Sequence, residues 1–142
     1  TLNGGDVEAG RRIFLEREEV ACLRCHKVEG AGGEVGPVLD GLATRQSLDY
    51  IMESMLYPNS VIAEGYESVL IETKDDNYYA GLIKEENDEK IVLNSPEDGI
   101  ITIAADNVNA REKGLSGMPE GLYLMLSKRE IRDLMAYLGS LT

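Results

Sequence analysis

Residues 21–30 read ACLRCHKVEG, and this short run holds both cysteines and the single histidine of a chain of 142 residues. Cys22, Cys25 and His26 fall within five consecutive positions. Chemistry that needs a thiolate, thiol or imidazole has only this place to happen. The two cysteines are spaced by about one helical turn, so both side chains reach the same way, and the imidazole follows directly. Whatever fold the chain adopts must bring distant segments to this point or leave a set of three ligands.

C-x-x-C-H is the pattern by which a c-type haem is attached. Two thiols add across the two vinyl groups of a porphyrin, sulfur to one carbon and hydrogen to its neighbour, and become thioethers. The adjacent histidine then lies beneath the ring and binds iron. Three rivals fit less well. Structural zinc wants four Cys or His ligands, and this chain has three. A thioredoxin-like pair needs a βαβ setting, whereas the flanks here read as helix and Gly-rich loop. A disulfide between residues three apart closes too small a loop to staple much.

Iron held by His commonly takes a thioether sulfur as well, which raises its potential. Five methionines are present. Met52, Met55, Met125 and Met135 lie in helical patterns, and Met52, Met55 and Met135 fit apolar stripes where a core role comes first. Met118 stands in GLSGMPEG between Gly117 and Pro119, a loop suited to presenting one side chain. It is the candidate second axial ligand. A surface loop methionine, with water or nothing in the sixth position, is the alternative. A ligating His donates its other ring N–H to an acceptor, and the Pro37 carbonyl in GGEVGPVLDG is the candidate. An ordinary Gly-Pro turn explains the same residues. Arg45 follows this loop and is a candidate partner for a haem propionate, or else a solvated surface arginine.

Along the chain three zones appear. In the first, Asp6 reads as an N-cap with Glu8 in the first turn. Val7, Gly10, Phe14 and Arg17 share a helical face, with Ile13 beside it. A glycine mid-helix costs about 1 kcal/mol relative to Ala, which points to a close helix contact at Gly10. A second helix follows Ser47, with Leu48, Ile51, Met52 and Met55 as its stripe, and stops before Pro58. From about Tyr66 to Arg111 the period changes. YESVLIET, NYYAGLIKE, KIVLNS and GIITIAA read as at least four antiparallel strands between turn-rich segments. This zone contains no Cys, His or Met. In the last zone Ser127 and Glu130 form a capping box, and Ile131, Leu134, Met135 and Leu138 mark an amphipathic helix that would partner the first one.

Charge bounds the partners. Fourteen Lys and Arg against twenty-six Asp and Glu give a net charge of −12. That argues against nucleic acid, whose phosphates need cationic clusters. It favours a partner with a basic face, felt within a Debye length of ~8 Å at physiological salt. Simple solubility of a secreted protein is the plainer account. No run of ~18 apolar residues exists to span a membrane. The chain opens on Thr1, which points to removal of a leader or a preceding domain.

CLRCH, GPVL, the GMP loop and a terminal helix with Leu134 and Tyr137 together resemble class I cytochromes c in their order. Gly10 and Phe14 resemble that family's N-terminal helix. The departure is the separation of His26 from Met118 by 92 positions. Without the β zone about 96 residues remain, the size of a small cytochrome c. GRRIF, CLRCHKVEGAGGEVGPVLDGLATR, YPNSVIAEGYE and MPEGL resemble the landmarks of the haem-binding domains of Pirellula/Verrucomicrobium type. Members of that group often sit at the C-terminal end of larger proteins with a domain resembling a sugar or alcohol dehydrogenase.

The resemblance implies a mainly α, cytochrome c-like helical haem domain with a small antiparallel β insertion. It would be one domain over 1–142, with its haem core at 1–65 and 112–142 and the insertion at about 66–111. One covalently attached haem c is expected, held by Cys22 and Cys25, with His26 and Met118 on iron and Pro37 and Arg45 around it. The implied function is one-electron transfer rather than catalysis. No nucleophile–base pair is available without a second histidine. A redox partner with a basic face, or a fused dehydrogenase domain, would be the donor. Thioether formation places the protein in the periplasm or at the outer face of the cytoplasmic membrane. A haem sensor or peroxidase-like enzyme with a labile sixth ligand is the alternative.

Overall fold

The computed structural model describes residues 4–95 and 98–142, and its contacts divide the chain into two compact units. One comprises Thr1–Val61 with Met118–Thr142, the other Ile62–Gly117.

The first unit is helical. Helix α1 spans Val7–Glu16, and the Asp6 side chain caps it by accepting from the Ala9 N–H at 2.9 Å. A single turn, α2, spans Cys22–Cys25, and a second, α3, spans Leu42–Arg45. Helix α4 covers Leu48–Leu56 and is capped by Ser47; α5 covers Lys128–Leu138 and is capped by Ser127. A 3-10 turn, Leu122–Met125, leads into α5.

Helices α1 and α5 cross at Gly10. A Cβ there would run into the Asp133 carbonyl and the Tyr137 side chain, so only glycine lets the two backbones meet. The crossing carries the Phe14–Tyr137 ring pair, with centroids 5.9 Å apart and planes at 54°. Asp133 is buried and accepts the Asp6 N–H at 2.8 Å. That bond satisfies one donor ahead of the first turn of α1. Of the expected α1 face, Gly10, Ile13 and Phe14 are buried, whereas Val7 is exposed. Arg17 instead reaches α5, where its guanidinium meets Glu130 at 2.7 Å. The Glu130 N–H is capped by Ser127 while its carboxylate is spent on Arg17. Met55 and Met135 are buried in the core, Met52 packs against it, and Met125 is exposed on the 3-10 turn.

The second unit is a single antiparallel sheet of five strands: β1 Ser68–Thr73, β2 Tyr78–Glu86, β3 Lys90–Ser95, β4 Gly99–Ala104 and β5 Val108–Lys113. The order is β4-β3-β2-β1-β5. Alternation sets the faces. Val69 and Ile71 on β1 line up with Ile91 and Leu93 on β3 and Ile103 on β4 in one apolar cluster, with Tyr79, Ile83, Ile101 and Val108 against it.

The expectation of a mainly α fold with a small β insertion is corrected here. Helix accounts for 33% and strand for 26% of the structure, and the sheet has five strands. The four strands that the sequence marks already make the sheet too large a share for a small insertion, and β5 adds a fifth. Its sequence, VNAREK, has one half-buried apolar residue, Val108, and five exposed positions. Backbone pairing makes it a strand. It runs antiparallel to β1 from Val69↔Lys113 to Thr73↔Val108, and Arg111 meets Glu86 at 2.8 Å. Side-chain periodicity carries no trace of such an edge strand.

Candidate haem site

The site begins with a backbone constraint. Ala21 adopts a left-handed conformation, φ 48°, and starts the α2 turn. The turn closes with the His26 N–H bonding the Cys22 carbonyl at 3.0 Å. Cys22 and Cys25 are half-buried and form no disulfide. Burial pushes the Cys22 thiol up to about 11, so it stays protonated at neutral pH.

The chain then folds back as a strap over the turn. The Gly33 N–H bonds the Leu23 carbonyl at 3.0 Å, the Gly36 N–H the Cys25 carbonyl at 2.7 Å, and the Leu39 N–H the Lys27 carbonyl at 2.9 Å. These three bonds lay the strap flat against the imidazole. A Cβ on Gly36 would sit 2.7 Å from His26 Cε1 and 3.0 Å from Nδ1. The next residue presents its carbonyl, and His26 Nδ1 lies 2.8 Å from the Pro37 oxygen. A carbonyl only accepts, so Nδ1 carries the proton and Nε2 keeps its lone pair. Burial lowers the His26 pKa, against the opposing pull of the Pro37 carbonyl. The ring is therefore neutral at pH 7, the form in which imidazole binds a metal.

Arg45, on α3, braces the same strap. Its guanidinium donates to the Asp40 carbonyl at 2.7 Å and to the Val38 carbonyl. Met118 is half-buried and packs, like Cys22, against the apolar cluster built around Ile13, Phe14, Val28 and Met135. Cys22 and Met118, 96 positions apart, thus share one cluster.

A further group has no local sequence signal. Glu29, at φ 51°, accepts from Arg11 Nε at 3.0 Å and from the Tyr137 hydroxyl at 2.9 Å. Its own N–H bonds the Asp40 carboxylate at 2.9 Å. The Glu29 carboxylate so ties α1 and α5 to the segment just past His26, and its backbone N–H ties that segment to the end of the strap. The Tyr137 and Arg11 bonds hold the Glu29 carboxyl below its usual range. Burial, helped by Glu29, pushes Tyr137 up to about 12.

Among the described residues, no group of three or more His, Cys, Asp and Glu is placed to hold a metal ion. Tetrahedral zinc is therefore not served by this cluster. The donor set fits haem c instead: two thiols on one turn, a neutral imidazole with Nε2 free of the Pro37 bond, and a thioether in the same apolar cluster.

Such a donor set on helices crossing at a glycine defines a c-type cytochrome. Residues 7–92 match the model of the cytochrome c family, and the chain belongs to that family. No curated protein matches it. Membership implies covalently bound haem c, haem-based electron transfer and a redox partner. The matched stretch takes in Cys22, Cys25, His26, Pro37 and Arg45 and ends before Met118. No helix of the described residues is long and apolar enough to cross a membrane.

Proposed function

We propose that the chain is a monohaem electron carrier in which His26 and Met118 are the axial ligands and Cys22 and Cys25 the covalent anchors. The observation that carries this reading is the Nδ1 contact of His26 with the Pro37 carbonyl, 2.8 Å, beneath a strap that Gly36 allows to lie on the ring. When bound, haem c supplies a one-electron Fe(II)/Fe(III) couple. The residues here hold and tune it. The Pro37 carbonyl fixes the tautomer and raises imidazole basicity. Met118 brings a soft sulfur from the loop that follows the sheet. Arg45 steadies the strap and has further N–H groups for a propionate.

The order of GRRIF, YPNSVIAEGYE and MPEGL supports membership of the Pirellula/Verrucomicrobium type and a single domain over 1–142 interrupted by the sheet. On that reading the donor is a periplasmic dehydrogenase, separate or fused, and the protein works in the periplasm or at the outer face of the cytoplasmic membrane. Charge supports a basic partner surface. Ile62–Gly117 alone carries thirteen Asp and Glu against five Lys and Arg.

Intact mass under denaturing conditions tests the cofactor. The purified protein should carry the mass of one haem, retained through acid–organic extraction, and Cys22→Ser with Cys25→Ser should lose it. Colour that extracts freely would sink the covalent reading. Immediate binding of an added small ligand to the ferric protein would favour the sensor or peroxidase-like alternative.

A further inference from the structure

The chain leaves the helical unit after Val61 and returns at Met118. The side chain of Asn59 bridges that gap. Its Nδ2 donates to Glu120 Oε1 at 2.7 Å. An ionised carboxylate accepts only, so the amide must present its nitrogen. Both ends of this bond are held from behind. Pro58 is buried. The Ser60 N–H bonds the Tyr57 carbonyl at 2.9 Å, and Ser60 Oγ bonds Glu53 on α4 at 2.7 Å. On the other side Pro119 fixes the backbone between Met118 and Glu120. Gly121, at φ 82°, then turns the chain into the 3-10 turn, where the Leu124 N–H bonds the Gly121 carbonyl at 3.0 Å.

We infer that Asn59 and Glu120 form a clasp that positions the Met118 loop. The inference rests on the reading of Met118 as an axial ligand. The segment before Met118 arrives from the sheet through Gly117, whose missing side chain leaves its backbone many ways to turn. A bond from Asn59 to Glu120 across the neck of the long insertion narrows that freedom. A cleft of about 400 Å³ lined by Leu56, Tyr57, Tyr123 and Leu124 lies beside the bond. The bond is charge-assisted, which favours one geometry over its neighbours. Asn59 and Glu120 are positioning residues, since they act on iron only through Met118.

The test is the ferric spectrum and imidazole binding of the full chain carrying haem, for wild type, Asn59→Ala, Asn59→Asp and Glu120→Gln. Wild type should show the far-red sulfur-to-iron charge-transfer band. Asn59→Ala should weaken it and let imidazole bind about fivefold faster, the size of one net hydrogen bond. Asn59→Asp sets two carboxylates together and should do more. Glu120→Gln keeps an acceptor oxygen but loses the charge, and should fall between wild type and Asn59→Ala. A normal band and an unchanged imidazole rate in both Asn59 variants overturn the clasp while leaving Met118 in place. A wild-type protein without the band overturns the Met118 reading and the clasp with it.

Discussion

At the scale of residues, the strap fixes the His26 imidazole that the proposed iron site uses. Gly36→Ala forces a methyl to 2.7 Å from His26 Cε1. Overpacking of that kind costs about 1–3 kcal/mol, and the neighbour that must yield is the imidazole itself. The expected outcome is a lower melting temperature together with a changed reduction potential. A variant that melts early at an unchanged potential would show that the strap does not set the ring. Glu29 offers a second prediction. Its folded pKa is lowered from 4.5 by Tyr137 first and Arg11 second, and that of Tyr137 is raised from 10.0. A lowered carboxylate pKa gives stability that is present above pH 4.5 and lost as pH falls through the folded value. A raised phenol pKa gives stability that is present below pH 10.0 and lost as pH rises towards about 12. Tyr137→Phe should therefore melt a few degrees below wild type between those limits. The gap should narrow at both ends of a melting-temperature series against pH, and a gap that ignores pH would deny the pair. The Cys22–His26 cluster and the Pro37 carbonyl were legible because their partners lie close in sequence. Glu29 and Tyr137 are 108 positions apart, and no local pattern announces such a bond.

Among the elements, α1, α4 and α5 were readable from caps and apolar spacing. Asp6, Ser47 and Ser127 each cap the helix they precede. Gly10 also announced itself, because a glycine that costs about 1 kcal/mol needs a reason. That reason makes a sharp prediction. Helix propensity alone says Gly10→Ala stabilises. Contact with the Asp133 carbonyl says the reverse, and a backbone atom of a packed helix cannot swing aside. The contact should win, lowering the urea midpoint by an amount equivalent to about 1–3 kcal/mol. A rise in the midpoint would mean that the helices separate freely. Strand β5 was not readable, because its stability comes from hydrogen bonds to β1 and not from an alternating apolar face. The expected fold class failed because the sheet is too large to count as a small insertion, and an edge strand written in polar residues enlarges it further without altering the apolar pattern.

Over the whole molecule, charge is unevenly shared between the two units. Of the net −12, the sheet unit carries the larger part, with thirteen acidic against five basic residues. If the proposed partner presents a basic face, the second-order rate of electron transfer should fall about tenfold or more as ionic strength rises from ~0.01 to ~0.15 M, where the Debye length shrinks from ~30 to ~8 Å. A flat salt dependence would assign the acidic residues to solubility alone. The switch from helical to strand period marked the insertion in the sequence, but not the bond that closes its neck. Asn59 and Glu120 each look like ordinary turn residues until the fold places them 2.7 Å apart.

The central claim is that one iron is held by His26 and by a sulfur arriving 92 positions later. The most direct measurement is the reduction potential of Met118→Ala, read beside its ferric spectrum. The account predicts haem still covalently attached, the far-red sulfur band gone and the potential lowered. A variant that keeps both band and potential would contradict it and move the second ligand elsewhere.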